Sequence, residues 1–367
     1  LEKYKLIISG GGTGGHVYPA IAIADAFKAR FPDSEILFVG AEGKMEMEKV
    51  PEAGYPIEGL KISGLQRKLT VDNLSFPFKV ISSLFKAKKI ISKFKPDAVV
   101  GVGGYASAPI MEMAVRNKIP TVIQEQNGYA GLVNKIVANR ASKICVAYPK
   151  MEKYFPADKL VMTGNPVRKD IIELAHLKEE AYTHFELSPE KKTVFVFGGS
   201  LGALTLNESM FNGFQRLLDE GYQLIWQTGK YYYEKYKDLL PNELPEGLKL
   251  LPFIRRMDLA YACSDLVISR AGALSISELC LAKLPTLLVP SPNVAEDHQT
   301  KNAMNLVNEG AAVMVKDIDA REKLIDEALV VLGDEKWQNS LKESMGELAK
   351  PEAANEIVDE IYKLIQK

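Results

Sequence analysis

Leu6-Ile7-Ile8-Ser9 runs into Gly10-Gly11-Gly12-Thr13-Gly14-Gly15, and in the second half of the chain Val194-Phe195-Val196-Phe197 runs into Gly198-Gly199-Ser200-Leu201-Gly202. Each stretch is a short apolar run, then a glycine loop, then a segment with helical spacing. Four to eight apolar residues bounded by glycine read as a strand buried on both faces, the signature of a parallel sheet. A glycine loop between strand and helix lets backbone approach a ligand and aims amide N–H groups at it. The helix N-terminus adds partial positive charge, so phosphate is the natural guest. The bland alternative is a tight strand-to-helix turn with no ligand, and it is weaker for two loops at matching places than for one.

Working outward, apolar runs at Leu6–Ser9, Ile36–Val39, Ala98–Gly101, Thr121–Ile123 and Ile144–Val146 alternate with helical segments such as Pro19–Phe31. A second series follows at Val194–Phe197, Leu224–Trp226, Leu248–Leu251, Leu266–Ser269, Thr286–Val289 and Ala312–Val315, with a helical pattern at Ile318–Leu332. The alternation specifies an α/β class with parallel sheets covered by helices. So many strands are too many for one comfortable sheet, so two Rossmann-like, doubly wound domains are expected. The turn-rich Gly164-Asn165-Pro166-Val167-Arg168 marks the break, giving domains 1–164 and 165–349. The last helical pattern, Ala353–Ile365 within 350–367, is expected to pack back on the first domain.

The 367 residues are 47% hydrophobic and 25% charged, an ordinary globular composition that argues against disorder. No apolar stretch approaches the roughly 18–20 residues needed to span a bilayer. Leu1-Glu2-Lys3 leads directly into a strand, so no cleavable signal is expected. Three widely spaced cysteines, Cys145, Cys263 and Cys280, fit a reduced compartment and not a zinc site. The net charge of -1 conceals an uneven arrangement. Residues 1–164 hold 23 basic against 15 acidic side chains, and residues 165–367 hold 23 against 32. Between Asn73 and Pro96 there are six lysines and no acid.

Gly10, Gly12 and Gly15 satisfy the dinucleotide pattern G-x-G-x-x-G, but the second strand ends Phe38-Val39-Gly40-Ala41 without the acid that would hold a ribose; Glu42 is displaced. No Gly-Lys-Ser/Thr follows either loop, which excludes a Walker site. His16, at the start of the first helix, is placed to act as a general base, with capping or packing as its ordinary alternative. His176 and His184 read as surface residues. After Leu266–Ser269 comes Arg270-Ala271-Gly272-Ala273-Leu274-Ser275-Ile276-Ser277-Glu278, where Glu278 can accept two hydrogen bonds from a ribose diol or merely face solvent. Glu296-Asp297-His298-Gln299 opens another helix, with Asp297 as a candidate cap. Asp317-Ile318-Asp319 matches a D-x-D metal motif but reads as a loop and helix cap.

Gly11–Ala20, Gly103-Gly104-Tyr105 with Pro109, Glu125-Gln126-Asn127-Gly128, Gly164–Arg168, Gly198–Ala203, Arg270–Glu278 and Asp297-His298-Gln299 with Asn302-Ala303 together resemble the bacterial N-acetylglucosaminyltransferases of peptidoglycan synthesis, in glycosyltransferase family 28. The resemblance runs in order along nearly the whole chain. It implies the GT-B fold, two Rossmann-like domains facing across a cleft. It implies inverting transfer of N-acetylglucosamine (GlcNAc) from UDP-GlcNAc to the C4 hydroxyl of N-acetylmuramic acid (MurNAc) in lipid I, an undecaprenyl-pyrophosphate-linked acceptor, giving lipid II. Residue by residue, it makes His16 the base, with Glu125 as runner-up or as the group that orients it. Ile254 would meet the uracil, Arg168 would lie near the nucleotide, Glu278 would hold the ribose, and Ser200 with its loop would hold the diphosphate. Ala273, Leu274, Ser275, Ile276 and Ser277 would line the same pocket. Gln299 and Asn127 would contact the sugar, with Thr13, Gly14 and Gly15 reaching it from the first domain. Gly103, Gly104 and Tyr105 would serve the acceptor. Ser275 stands where many relatives carry Thr, and Thr300 where some carry a second Gln.

No cofactor, metal site or nucleic-acid partner is expected, although divalent-ion stimulation is left open. The rivals are a UDP-hexose-dependent diacylglycerol glycosyltransferase, a UDP-GlcNAc epimerase on the same fold, and a non-catalytic nucleotide-sugar binding module. From Phe76 to Phe94, apolar Val80, Ile81, Leu84, Phe85, Ile91 and Phe94 recur at helical spacing beside Lys79, Lys86 and Lys93. The stripe reads equally as a core-facing helix or as a docking surface for an anionic membrane, with Lys79, Phe85, Lys86 and Lys89 in contact. The docking reading makes the protein peripheral, on the cytoplasmic face of the plasma membrane, in reach of a cell-wall synthesis complex.

Overall fold

The computed structural model describes residues 2–62 and 76–367. The chain divides into two compact units, Leu1–Arg168 with Pro351–Lys367, and Lys169–Lys350. In the first, seven strands form one sheet: β1 (Lys5–Gly10), β2 (Glu35–Ala41), β3 (Ile57–Leu60), β4 (Ala98–Gly103), β5 (Thr121–Glu125), β6 (Lys143–Val146) and β7 (Leu160–Met162). All pairings are parallel, in the order β3-β2-β1-β4-β5-β6-β7. The second unit holds β8 (Thr193–Phe197), β9 (Gln223–Gln227), β10 (Leu248–Leu251), β11 (Leu266–Ser269), β12 (Thr286–Leu288) and β13 (Val313–Met314). These too are parallel, in the order β10-β9-β8-β11-β12-β13.

Each sheet reverses its order at its first strand, between β1 and β4 and between β8 and β11. At such a switch point the connections leave to opposite faces and open a crevice at the carboxyl ends of the strands. Gly10–Gly15 lies at the end of β1 and Gly103-Gly104 at the end of β4; Gly198–Gly202 follows β8 and Arg270-Ala271-Gly272 follows β11. The glycine clusters therefore stand in pairs, one pair at the crevice of each unit.

The apolar runs read from the sequence all become strands. β3 and β7 were not foreseen, and both are edge strands that need little hydrophobicity: β3 contains Glu58 and Gly59, and β7 is three residues long. The first helix, Gly14–Arg30, starts earlier than the Pro19–Phe31 pattern suggested, because the Thr13 carbonyl accepts from both His16 and Val17 N–H at 3.1 Å. The final helix, Ala353–Ile365, buries Ile357, Val358 and Ile361 in the first unit and stacks Tyr362 on Phe31, with ring centroids 5.2 Å apart.

Helix Leu204–Asp219 is tied to β9 behind the second glycine loop. Trp226, fully buried, donates from its indole N–H to Asn207 Oδ1 at 2.9 Å, and Asn207 Nδ2 donates to the Thr228 carbonyl at 2.9 Å. Asn207→Ala strands both groups in the core and is expected to cost about 1–3 kcal/mol. Both tryptophans, Trp226 and Trp337, lie in the second unit, so a lower urea midpoint in tryptophan fluorescence reads this directly.

Candidate functional site

His16 is the third residue of helix Gly14–Arg30, at the crevice of the first unit. Its Nδ1 lies 3.1 Å from the Gly11 carbonyl and 3.4 Å from Thr13 Oγ1. A carbonyl only accepts, so Nδ1 carries the proton and the neutral ring keeps its lone pair on Nε2. Burial pushes the His16 pKa below its ordinary value; Glu125, the Gly11 carbonyl and Glu46 oppose that shift without reversing it. The imidazole is thus neutral at neutral pH, with one defined basic atom.

Gly103 and Gly104, with φ of +104° and +86°, press β4's end against this loop. A Cβ at Gly103 would lie 2.9 Å from His16 Cδ2 and Nε2, and one at Gly104 would run into the Gly11 carbonyl. Their absence of side chains is explained by packing against the His16 loop. Tyr105, beside them, is 52% exposed.

Glu125 ends β5 and is buried. Its Oε1 accepts from the Asn127 N–H at 3.2 Å; its Oε2 accepts from the Gly131 N–H at 2.8 Å and from Asn134 Nδ2 at 2.9 Å. These bonds make it the organiser of the loop that carries Asn127, and its influence on His16 is through its charge. Nearby, Gln126 Nε2 donates to the Val102 carbonyl at 2.8 Å, Gln124 Nε2 to Asn165 Oδ1 at 3.1 Å, and Asn165 Nδ2 to the Gln126 carbonyl at 3.1 Å. The Glu125–Gly128 and Gly164–Arg168 motifs are therefore two halves of one buried amide network. Arg168 sits over the Tyr18 ring, 5.4 Å from its centroid.

Glu46 escaped the sequence reading. It is fully buried; Oε2 accepts from the Gly12 N–H and Oε1 from the Ala41 N–H, both at 2.9 Å. A Cβ on Gly11 or on Gly40 would collide with it. In sequence Glu46 looks no different from Glu42 or Glu48. Only the pairing of β1 with β2 shows which carboxylate reaches the loop.

In the second unit, the Gly198–Gly202 loop turns through Gly199 at φ +87° and Gly202 at φ +83°, closed by the Gly202 N–H to the Gly199 carbonyl at 2.9 Å. Gln227 Nε2 also donates to the Gly199 carbonyl, at 3.1 Å. Ser200 is exposed on this loop, which opens helix Leu204–Asp219. Ala273, Leu274, Ser275, Ile276 and Ser277 form the first turns of helix Ala273–Ala282, and Ser277 Oγ bonds back to the Ala273 carbonyl at 3.0 Å. Glu278 is 8% exposed and receives a hydrogen bond from Tyr261 Oη at 2.9 Å, which excludes the solvent-facing alternative. Ile254 is buried in the loop after β10. Gln299 Oε1 accepts from the Ser291 N–H at 2.9 Å. Before it, Glu296 and Asp297 hold left-handed φ values of +55° and +51°, strain that non-glycine residues keep only where surroundings impose it. Asp297 makes no cap to the helix backbone; its Oδ1 accepts from Thr300 Oγ1 at 2.7 Å.

The D-x-D pair is engaged within the fold. Asp317 ion-pairs with Arg270 and accepts from Thr205 Oγ1 at 3.0 Å, while Arg270 also donates to the Val289 carbonyl at 2.9 Å and the Pro290 carbonyl at 3.2 Å. Asp319 pairs with Lys323 at 3.7 Å. All three cysteines are buried, and burial pushes each thiol up to about 12, far from the reactive range.

Helix Phe76–Phe94 splits its apolar stripe. Ile91 is buried with Ser83, Ala87 and Ile90, whereas Phe78, Ile81 and Phe85, on one face at helical spacing, are 75%, 53% and 71% exposed. Lys86, Lys88 and Lys89 are exposed on the same helix, and Lys86 lies 3.2 Å from Glu42. Leu132 and Ile136 are a further exposed pair in the first unit.

Residues 6–146 match the glycosyltransferase family 28 N-terminal domain, and residues 193–360 the family 28 C-terminal domain. The chain belongs to glycosyltransferase family 28. The UDP-N-acetylglucosamine–N-acetylmuramyl-(pentapeptide) pyrophosphoryl-undecaprenol N-acetylglucosamine transferase of Cytophaga hutchinsonii is 56% identical over 99% of this chain and 98% of its own length. The transferase of the same name from Parabacteroides distasonis is 55% identical over the whole of both chains. A crystal structure of Acinetobacter baumannii MurG aligns with a TM-score of 0.75 at 29% identity, covering 99% of this chain and all of that one. A UDP-N-acetylglucosamine 2-epimerase aligns with a TM-score of 0.69 at 15% identity over 99% of this chain and 96% of its own, a likeness of fold alone. Family membership makes the chain a glycosyltransferase with two parallel-sheet α/β domains of the GT-B kind.

Because Glu125 accepts only from N–H groups, Glu125→Gln sets an amide NH2 against at least one of them. Faster hydrogen exchange at the Asn127 and Gly131 amides is the expected result, measured by NMR or mass spectrometry.

Proposed function

We propose that this protein transfers GlcNAc from UDP-GlcNAc to the C4 hydroxyl of MurNAc in lipid I, forming lipid II with inversion at the sugar C1. The observation that carries the reading is full-length identity of 56% and 55% to two transferases that bear this name. The site chemistry supports it. The C4 oxygen attacks C1 while the bond from C1 to the diphosphate oxygen breaks, and the C4 proton passes to His16 Nε2. Positioned base catalysis of this kind contributes about 10²–10⁴ in rate. Charge appearing on the departing UDP is met by loop amides at Gly199–Leu201 and the N-terminus of helix Leu204–Asp219, a preorganised set of donors. Glu278 takes the ribose hydroxyls, Ile254 the uracil, and Gln299 and Asn127 the sugar. No metal enters these steps.

The acceptor is a lipid, and the exposed Phe78, Ile81 and Phe85 flanked by lysines fit a surface that docks on an anionic leaflet. Among the described residues no helix is long and apolar enough to cross a membrane. Peripheral attachment at the cytoplasmic face is the arrangement we propose.

The decisive experiment incubates the protein with labelled UDP-GlcNAc and a short-chain lipid I analogue. Formation of the disaccharide lipid is expected; conversion of UDP-GlcNAc to its C2 epimer without the acceptor would instead favour the epimerase reading. His16→Ala is expected to lower kcat by at least about a hundredfold while leaving UDP affinity unchanged, as judged by calorimetry. Since His16 must be neutral to accept a proton and its pKa is lowered, the acid limb of kcat/KM in the native enzyme should fall below about pH 6.5. Reversing Lys79, Lys86 and Lys89 to Glu, each lysine worth about 1 kcal/mol near an anionic surface, should weaken binding to phosphatidylserine vesicles at least about a hundredfold in a sedimentation assay. Unchanged binding at low salt would overturn the docking surface.

A further inference from the structure

We infer that Tyr261 is the positioning residue for the ribose carboxylate and thereby sets the enzyme's discrimination between ribose and deoxyribose nucleotides; this rests on the reading of Glu278 as the ribose ligand. Tyr261 lies in the short helix Met257–Ala262, and its side chain is 1% exposed. Its hydroxyl donates to Glu278 Oε2 at 2.9 Å. The ring is clamped edge-on by two aromatics of β8: Phe195 at 5.9 Å and 61°, and Phe197 at 6.3 Å and 64°. β8 is the strand that runs into the Gly198–Gly202 loop, and Glu278 stands on the helix that follows its neighbour β11.

The phenol therefore links three elements of one unit: the strand that carries the diphosphate loop, the helix that carries the carboxylate, and the helix to which Tyr261 itself belongs. A Glu side chain has three rotatable bonds, and a carboxylate at the first turns of a helix has many ways to point. Bidentate recognition of a ribose diol requires one of them. A phenol on a rigid, buried ring is a donor that cannot follow the carboxylate if it rotates, so the hydrogen bond selects a single orientation in advance of binding. Packing alone would have been served by phenylalanine, as at positions 195 and 197. Tyrosine at this buried place adds only the hydroxyl, and the hydroxyl is on Glu278.

The test measures binding of UDP and of 2′-deoxy-UDP by calorimetry to the full-length native protein and to Tyr261→Phe, Glu278→Gln and Phe197→Leu. In Tyr261→Phe, UDP affinity should fall about tenfold and 2′-deoxy-UDP affinity much less, so the ratio of the two contracts. With UDP-GlcNAc as donor, KM should rise by a similar factor while kcat is retained, since the ribose contact is held equally in ground and transition states. Glu278→Gln should contract the ratio furthest. Phe197→Leu, which loosens the clamp and keeps the hydroxyl, should contract it partway, and it tests the inference even if Tyr261→Phe folds poorly. If Glu278→Gln changes the ratio and neither Tyr261→Phe nor Phe197→Leu does, Tyr261 is only packing and the inference fails while the ribose reading stands. If Glu278→Gln leaves the ratio unchanged, the ribose reading itself fails. A merely structural tyrosine would lower stability and leave the ratio where it was.

Discussion

The bond between His16 Nδ1 and the Gly11 carbonyl is short-range, one residue reaching back five positions to its own loop, yet much of the first unit is arranged so that it can form. It requires that Gly11 present its carbonyl toward the helix, which in turn requires that the loop be anchored from behind by Glu46. It also requires that the end of β4 pass close enough to exclude any side chain, which is why two glycines with positive φ stand there. The sheet order places β1 beside β4 and β2, so both supports arrive from adjacent strands. Removing the tautomer preference would leave a histidine in the same place with its basic atom undefined.

The second unit applies the same device of strand, glycine loop and helix, but the surrounding side chains differ. Arg270 bridges the ends of β11 and β12 and the loop before the following helix, and Asp317 carries that strut on to Thr205 at the start of the helix behind the Gly198–Gly202 loop. Charge here is used to hold backbone ends together. The acidic overall sign of residues 165–367 is therefore no obstacle to the nucleotide we propose, because the groups proposed to face it are amides and a single carboxylate, Glu278. Charge at the level of a half-chain and charge at the level of a site answer different questions.

The features legible in the sequence are those fixed by neighbours along the chain. The glycine loops, the buried strands and the helix that carries Glu278 follow from runs of a few residues, whose physics is local. The resemblance to family 28 also rests on such runs. What stayed hidden depends on contacts between distant segments. Edge strands β3 and β7 have too little apolar character to announce themselves. Glu46 is indistinguishable from its acidic neighbours until β1 and β2 pair. The stripe at 76–94 looked uniform, and only packing against the first unit divides Ile91 from Phe85. Asp297 was a plausible cap by type and position, and its left-handed backbone turns it to Thr300 instead.

Glu46 makes the two glycine loops chemically unequal despite their common grammar. Its carboxylate already occupies the Gly12 amide, as an anion supplied by the protein itself. In the second loop the Gly202 N–H is taken instead by the Gly199 carbonyl, a neutral acceptor. A loop with a resident negative charge discourages a phosphate from settling against that amide and favours a neutral guest such as a sugar hydroxyl. The same charge eases the arrival of a proton on the imidazole beside it, because the cation then formed has a counter-ion waiting. The same succession of strand, glycine loop and helix thus stands twice in the chain, and in the first unit an anion of the protein's own already holds one of its amides.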